Sequence, residues 1–415
     1  MKTLKKVFVF IWMGMGVFSC VKNTPEELDE PILPPVVTSF SPIEGKIGDT
    51  ITIVGENFSN LLSQNVVKFN GESSIVVEAN TTQLKAIVPI GATTGLISVS
   101  TDASNVANSP TEFRVIQDKW VLKNDNLTNI PLASITHMNI FYEYNGKGYI
   151  VTQSKIMEYT PVSNIWEEET SLPTSLASWH TFSFLIGNKL YVGNKEIIAG
   201  NCNNVGSFWE YNIDTNLWIQ KTSFAGSCRN IPIAFSIGNK GYVGLGDSTV
   251  PPESITSFWE YDPITNQWIR KANFPVGYTR RGINFISNGK AYITALEGTQ
   301  DTWEYTPEDN TWRKKSDFPG TKRGDAFAFT IGNRGFMGCG EQRDNIGAGF
   351  LKDFWEYNTT TDTWIRKTDF PSIARIWAGS FSINGKGYIF GGTAKTPIGS
   401  PQPYYNIYDF WEYTP

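Results

Sequence analysis

Residues 259–268 read Trp-Glu-Tyr-Asp-Pro-Ile-Thr-Asn-Gln-Trp and contain the motif that decides the fold. The Trp-Glu-Tyr triplet occurs five times, beginning at residues 209, 259, 303, 355 and 411, and a Met-Glu-Tyr variant begins at residue 157. A tryptophan follows seven residues after the tyrosine of every triplet except the last. The tyrosines lie 44 to 56 residues apart, which is the period of a four-stranded propeller blade and too long for helical solenoid units.

Each repeat also contains the residues that reverse a chain between strands. Asn, Asp and Pro fill the interval between the tyrosine and the tryptophan, as in Asp262-Pro263 to Asn266. A second turn precedes every triplet, in six copies of the type Gly238-Asn239-Lys240. Two tight turns per repeat predict consecutive β-hairpins, and the chain is therefore expected to be all-β.

With these two markers, residues 117–415 resemble the Kelch family of β-propellers. Arg229, Arg323 and Arg375 lie eleven residues before the Lys or Arg of the second turn, where that family places an arginine. Gly391-Gly392 is the one intact copy of the family's glycine doublet. The resemblance implies a six-bladed propeller.

The last repeat predicts how the ring closes. It reaches its triplet at residues 411–413 and has no tryptophan-bearing strand after it, while Trp120 precedes the first repeat without a triplet of its own. We therefore expect residues 119–123 to pair with the C-terminal blade. Such closure leaves no long exposed sheet edge.

The N-terminal residues have the features of an export signal. Three lysines precede an apolar run from Val7 to Phe18, which is too short to span a membrane. Residues 1–20 resemble a bacterial lipoprotein signal with Cys20 as the lipidated residue, and residues 21–33 form an acidic, proline-containing tether. The acidic patch resembles the surface-export signal of Bacteroidetes lipoproteins. We expect an outer-membrane lipoprotein at the cell surface, with a periplasm-facing position as the alternative.

Residues 34–116 have a different pattern. The alternation Thr50-Ile51-Thr52-Ile53 has the period of a half-buried strand, and Gly55-Glu56-Asn57-Phe58 and Phe69-Asn70-Gly71 occur nearby. These residues resemble the IPT/TIG domain, which is an immunoglobulin-like β-sandwich. Such domains usually act as spacers or adhesive modules.

Charge and cysteine content limit the functions that remain. A net charge of −5 argues against nucleic-acid binding, because a phosphate-binding protein needs a basic face. Cys202 and Cys228 are predicted to emerge on one face of the propeller, where a disulfide between them competes with two free thiols in an oxidising compartment.

Binding sites in propellers form where the connections between blades meet the loops that join second and third strands. The spacing places arginines and tryptophans at this mouth of the central channel, although the chain as a whole is acidic. Guanidinium groups bind carboxylates or sulfates through paired hydrogen bonds, and an indole face can stack on a sugar ring. We predict an anionic ligand such as a charged glycan. The candidate ligand-binding residues are Trp179, His180, Arg229, Arg280, Arg281, Arg323, Asp325, Arg375 and Trp377.

Two roles are open for these arginines. Arg229, Arg323 and Arg375 occupy the Kelch position that commonly ties adjacent blades, so a structural role competes with ligand binding. Arg280 and Arg281 depart from that register and are the better functional candidates.

Enzymatic motifs are sparse, and we expect no catalytic residues, cofactor or metal. The preferred hypothesis is a membrane-anchored, non-enzymatic module that binds a glycan or a protein partner. The alternative rests on resemblance in architecture to bacterial N-acetylneuraminate epimerases, which interconvert sialic acid anomers. In that case Glu297 or Glu341 would transfer the proton, and Arg281 or Arg323 would hold the sugar carboxylate.

Overall fold

The computed structural model describes residues 33–415 apart from several gaps, and every described segment is built from β-strands, turns and one short 3-10 turn. In this part of the chain, no helix is long and apolar enough to cross a membrane. The gaps are residues 90, 102–104, 128–129, 131–140, 153, 174–175, 177–180, 195–196, 199–200, 203–205, 230, 247–254, 278–279, 297, 343–348 and 397–403, and the side chains of 181, 197, 198, 201 and 202 are also outside the description.

The N-terminal domain is a sandwich of two sheets around one apolar core. Its strands alternate between buried and exposed residues, as in Thr50–Glu56, where Ile51 and Ile53 are fully buried. Leu84 and Phe113 complete the core between the sheets. The first sheet contains Val36–Ser41, Thr50–Glu56, Gln83–Ile87 and Val76–Asn80, the second contains Glu44–Gly45, Val106–Val115, Gly95–Ser100, Val66–Phe69 and Glu72–Ser73, and the 3-10 turn is Leu62–Gln64.

The rest of the described chain forms six four-stranded antiparallel sheets, the blades of a β-propeller, and three two-stranded sheets in the loops, of which the first pairs Ile197–Ile198 with Asn201–Cys202. Blades 1 to 3 contain, from inside outwards, Phe141–Tyr144, Lys147–Val151, Lys155–Thr160 and Ile165–Ser171; Thr181–Ile186, Lys189–Asn194, Ser207–Asn212 and Leu217–Gln220; and Ile233–Ile237, Lys240–Gly244, Phe258–Asp262 and Gln267–Lys271. Blades 4 to 6 contain Ile283–Ser287, Lys290–Thr294, Trp303–Thr306 and Thr311–Lys314; Phe327–Ile331, Arg334–Gly338, Phe354–Asn358 and Thr363–Lys367; and Gly379–Ile383, Lys386–Phe390, Phe410–Thr414 and Lys119–Asn124.

The repeated tyrosine and tryptophan hold the two outer strands of a blade together. In blade 3, Tyr261 pairs directly with Trp268 across the strands, with ring centroids 5.0 Å apart. The buried Tyr261 hydroxyl donates to Asn266 Oδ1 at 2.9 Å, in the turn between the two residues. Asn266 has a φ of 56°, a left-handed conformation that asparagine tolerates well. The motif therefore sets both the turn and the packing of the hairpin.

In blades 3, 4 and 5 the same motif connects the blade to the one before it. Trp268 Nε1 donates to the carbonyl oxygen of Thr222 at 3.1 Å, and the Thr222 N–H donates to Asn266 Oδ1 at 3.1 Å. In blade 4, Trp312 Nε1 donates to Ala272 in the same way, at 3.1 Å. Because these bonds satisfy backbone groups of the preceding blade, neighbouring blades are fixed relative to each other.

The N-terminal strand of the propeller completes blade 6. Lys119–Asn124 pairs antiparallel with Phe410–Thr414, and Trp120 lies opposite Tyr413. The prediction for residues 119–123 is therefore confirmed. Asp118 lies two residues before Trp120, just as Asn266 lies two residues before Trp268. Burial and the nearby Asp118 carboxylate together raise the pKa of the Tyr413 hydroxyl group. Asp118 and Trp120 thus supply, from the other end of the chain, the outer half of the repeated motif.

The blades form a closed ring. The innermost strand of blade 6 contacts the innermost strand of blade 1, where Phe381 stacks on Phe141 with centroids 6.2 Å apart. Blades 1 and 2 are joined by a hydrogen bond from Tyr142 to Ser183. The remaining innermost strands contact one another in chain order.

The sandwich domain rests on the propeller next to this closure. Lys367 ends the outer strand of blade 5 and is 3% exposed; its Nζ lies 3.1 Å from Asp118 Oδ2 and donates to the Ile47 carbonyl oxygen at 3.4 Å. Gly48 has a φ of 91°, and a Cβ there would lie 2.6 Å from Ile365 Cδ1. Glycine at 48 therefore allows the loop of the sandwich domain to sit directly on blade 5.

We expect Trp120→Ala to open the ring. Trp120 packs against Phe354, Phe370 and Tyr413 with centroids 4.8 to 5.0 Å away, so its loss should lower the free energy of propeller unfolding by about 3–5 kcal/mol. Residues 34–116 contain no tryptophan, so tryptophan fluorescence during urea unfolding follows the propeller alone.

Leu122→Ala is the matched control, since Leu122 is on the same strand and is 45% exposed. It should change stability by no more than about 0.5 kcal/mol. Equal effects of the two substitutions would contradict the closure of blade 6 through Trp120.

Candidate ligand-binding site

Arg375 is buried and fully engaged by its own blade. Its guanidinium group donates to Asp409 Oδ2 at 2.8 Å, to the carbonyl oxygen of Gly391 at 2.8 Å and to that of Ile373 at 3.1 Å, and it lies 4.7 Å from the centre of the Phe370 ring. The side chain is 0% exposed. Arg375 therefore ties the entry of blade 6 to its second and third strands.

Arg323 and Arg229 make equivalent bonds within their own blades. We call each of these three buried arginines, together with its hydrogen-bond partners, a clamp. Arg323 donates to both oxygens of Asp353 at 2.6 Å and to the carbonyl oxygen of Cys339 at 3.0 Å. Arg229, which is 3% exposed, donates to Ser257 Oγ at 2.7 Å in place of a carboxylate. This geometry supports the structural alternative for Arg229, Arg323 and Arg375. A ligand could reach their guanidinium groups only by breaking these bonds, so the proposal below rests on other residues.

The carboxylate partners titrate below their usual range. Burial by itself would raise the pKa of Asp353, but the hydrogen bonds and positive charge of Arg323 outweigh it and hold that pKa low. The pKa of Asp409 is lowered in the same way, with burial opposed by Arg375. The clamps of Arg323 and Arg375 are therefore ion pairs at neutral pH.

Two residues beyond the clamp position, the chain forms the rim of the central channel. Among the described residues, this rim consists of Ile231, Arg281, Asp325 and Trp377, each two residues before the innermost strand of its blade. All four have left-handed φ values, between 50° and 59°. The Asp325 N–H donates to the Arg281 carbonyl oxygen and the Trp377 N–H to that of Asp325, both at 3.1 Å. Successive blades thus place these residues side by side.

The rim contains a charged pair from two different blades. Arg281 Nη1 lies 2.6 Å from Asp325 Oδ2, with the arginine side chain 27% exposed and that of the aspartate 3% exposed. Trp377 is half-buried beside Asp325, and Arg280 is exposed next to Arg281. The structure thereby brings together Arg280, Arg281, Asp325 and Trp377 from the predicted set. Their contribution to ligand binding stays a prediction.

Two short strand pairs extend the mouth outwards from the rim. Arg323–Gly324, which precedes Asp325, pairs with Glu341–Gln342, and Glu341 forms a further bridge to Phe350. In blade 6, Ile376, which precedes Trp377, bridges Thr393 in the pair Thr393–Lys395 and Tyr404–Asn406. Arg323–Gly324 precedes the first strand of blade 5, and the other three strands lie in the loops between the second and third strands of blades 5 and 6.

The loops between the second and third strands of blades 5 and 6 contain an aromatic cluster that the sequence analysis did not predict. Phe350 and Tyr404 stack with centroids 6.0 Å apart and planes 6° apart, and Lys395 Nζ lies 5.0 Å from the Phe350 ring centre. The sequence signal was the long interval between the second turn and the triplet in these two repeats, but their loops have no counterpart elsewhere in the chain against which to align them.

The glutamates of the repeated triplets have a structural role. Glu304 accepts from Lys290 at 2.8 Å and from the Tyr292 hydroxyl at 2.9 Å, both in the same blade. Burial would raise the pKa of Glu304, but the Lys290 hydrogen bond leads the interactions that lower it. Glu412 makes the equivalent bonds with Lys386 and Tyr388. Each glutamate therefore fixes the two middle strands of its blade.

Several predictions fall on residues outside the described part of the chain. These are the lipidation site Cys20, the candidate ligands Trp179 and His180, and the candidate acid Glu297. Across the described residues, no group of three or more His, Cys, Asp or Glu side chains could hold a metal ion.

The cysteines have two different environments. Cys228 is fully buried and disulfide-bonded. The side chain of Cys202 is outside the description, so the pairing of these two cysteines stays a prediction. Cys339 is a free, buried thiol, and burial raises its pKa to about 12.

Comparison with known proteins identifies the first domain. Residues 35–115 match the IPT/TIG domain family. No curated protein matches the chain. A solved structure described as that of YjhT covers 52% of this chain and 72% of its own, with 14% sequence identity and a TM-score of 0.43. This chain is similar to that structure.

The clamps predict an acid-sensitive propeller. Because the folded pKa values of Asp353 and Asp409 are depressed, their contribution to stability is present above the unfolded value of about 3.9 and is lost as pH falls through the folded values. Asp409→Asn should cost about 3 kcal/mol at pH 7, since it leaves Arg375 buried without a counter-charge, and should flatten the loss of stability below pH 5.

Urea unfolding between pH 7 and pH 3 measures both effects. Asp369→Asn is the control, because Asp369 pairs with Arg366 at the surface. An unchanged acid slope in Asp409→Asn would show that the clamp is not the titrating unit.

Proposed function

We propose that this protein is a non-enzymatic binding module that captures an anionic glycan at the mouth of the propeller. The observation that carries the proposal is the rim arrangement of Arg281, Asp325 and Trp377, with Arg280 exposed beside it. A guanidinium group can hold a carboxylate or sulfate, and an indole can cover a sugar ring. The ion pair with Asp325 holds Arg281 in place, which reduces the entropy lost when a ligand binds.

Burial of the rim carboxylate favours binding over catalysis. A proton donor or acceptor must come within hydrogen-bond reach of the substrate. The side chain of Asp325 is 3% exposed and its Oδ2 is already bonded to Arg281. The specific observation in favour of the epimerase alternative is the position of Glu341, one of its two candidate acids, which pairs with Gly324 next to the rim. NMR of freshly released N-acetylneuraminic acid decides it, because an epimerase speeds anomer equilibration and a binding module leaves the rate unchanged.

We further propose that the propeller is held at the outer-membrane surface by lipidated Cys20, with the sandwich domain as the spacer. The contacts of Lys367 and Gly48 support a spacer and propeller that move as one body. Detergent partitioning and protease treatment of whole cells test the anchor and its side. A Cys20→Ala protein that still partitions into detergent would refute the lipid anchor, and full-length protein resistant to protease on intact cells would place it in the periplasm.

We expect the combined change Arg280→Ala, Arg281→Ala and Asp325→Ala to weaken anionic-glycan binding at least tenfold, because it removes the cationic groups of the rim. Asp325 is included because Arg281→Ala alone would remove a positive charge 2.6 Å from a buried carboxylate and lower stability. Calorimetry with chondroitin sulfate and oligogalacturonide hexasaccharides, and with neutral cellohexaose, measures the effect.

Arg270→Ala is the matched control, since Arg270 is on the outer strand of blade 3 and donates to the nearby Asn273 at 3.3 Å. It should bind like the unchanged protein. If neither anionic glycan binds the unchanged protein, glycan capture is wrong, and a protein partner becomes the better explanation of the mouth.

A further inference from the structure

Two solvent-exposed aromatic side chains, those of the adjacent residues Tyr404 and Tyr405, lie beside the mouth. Tyr404 is 43% exposed and Tyr405 is 40% exposed, and among the described aromatic residues these are the exposed ones. The aromatic rings of the repeats are instead packed between strands and blades. An exposed tyrosine pair therefore has no role in the repeated packing.

Tyr404 is in contact with other side chains from two blades. We call the cluster of Phe350, Lys395 and Tyr404 the platform. Lys395 and Tyr404 are direct cross-strand partners, so their side chains lie on one face of the hairpin. Phe350, from the loop of blade 5, stacks on Tyr404 and lies under Lys395. Two blades thus combine to fix an aromatic ring beside a cation.

Backbone ladders connect the platform to the rim. Gly324, which is next to the rim residue Asp325, pairs with Glu341, and Glu341 in turn forms a β-bridge to Phe350. Each step between paired strands is about 4.8 Å, so the platform begins about 10 Å outside the rim strand. This separation exceeds the width of one sugar ring, and a ligand touching both places must have several linked rings.

We infer that the platform is a second sugar-binding subsite, and that the ligand is an acidic oligosaccharide or polysaccharide chain running from the rim across blades 5 and 6. The inference rests on the proposed glycan function and specifies its ligand. The exposed tyrosine ring covers one face of a sugar, since aromatic rings present a flat apolar surface with little entropy to lose. Lys395 supplies the positive charge that an acidic sugar unit requires at this end.

Chain-length dependence tests the inference. We expect chondroitin sulfate or oligogalacturonide to bind the full chain at least tenfold more tightly as hexasaccharide than as disaccharide. Tyr404→Ala should remove this gain and leave disaccharide affinity unchanged. Tyr404→Phe should behave like the unchanged protein, because it keeps the ring and loses only the hydroxyl group.

The outcomes separate the two proposals. If the hexasaccharide gain is absent in the unchanged protein, or persists in Tyr404→Ala, the platform is not a subsite even though the rim still binds. If no acidic saccharide binds at any length, the glycan function fails and the platform inference fails with it. The melting temperature of Tyr404→Ala should match that of Tyr404→Phe, which excludes a folding defect as the cause.

Discussion

The pairing of Trp120 with Tyr413 is the interaction on which the rest of the structure depends. Five blades take both halves of the Tyr and Trp motif from one continuous hairpin, but blade 6 takes its outer half from the other end of the chain. Closing the ring in this way brings blade 6 against blade 1. It also places Asp118 where Lys367 and the sandwich domain meet the propeller, so ring closure and domain docking share one residue.

Regular packing inside the blades leaves the irregular residues for the rim. The arginine clamps engage carboxylates and carbonyl oxygens within blades 5 and 6, and the glutamates of the triplets engage lysine and tyrosine. The hydrogen bonds of these groups are made within the protein, so the groups are not available to bind a ligand. Arg281, Asp325 and Trp377 occupy one equivalent position in three successive blades and differ in chemistry. The proposed binding site therefore uses the positions at which the repeats differ.

The sequence predicted the blades and the closing strand because both follow from spacing. It did not separate clamps from ligands, since burial of Arg323 depends on Asp353, thirty residues away on another strand. The signal was present: Asp353 and Asp409 each precede a triplet tryptophan by two residues, and the Kelch-position arginine occurs in both of those blades. Asp118 before Trp120 likewise repeats the Asn-x-Trp pattern.

Contacts between blades could not be predicted in the same way. The Arg281–Asp325 pair joins residues 44 positions apart, and only the curvature of the ring brings them to 2.6 Å. The stack of Phe350 on Tyr404 joins two loops without repeated counterparts. Both features depend on distances across the ring, whereas the repeat spacing describes one blade at a time.

The most direct test of this account is a disulfide across the closing strands. Lys119 and Thr414 are directly paired, so Lys119→Cys with Thr414→Cys places two cysteines opposite each other. Mild oxidation followed by peptide mass spectrometry should find the 119–414 bridge within monomers. If oxidised protein contains no such bridge, or contains it only between two chains, the ring is not closed by its own N-terminal strand.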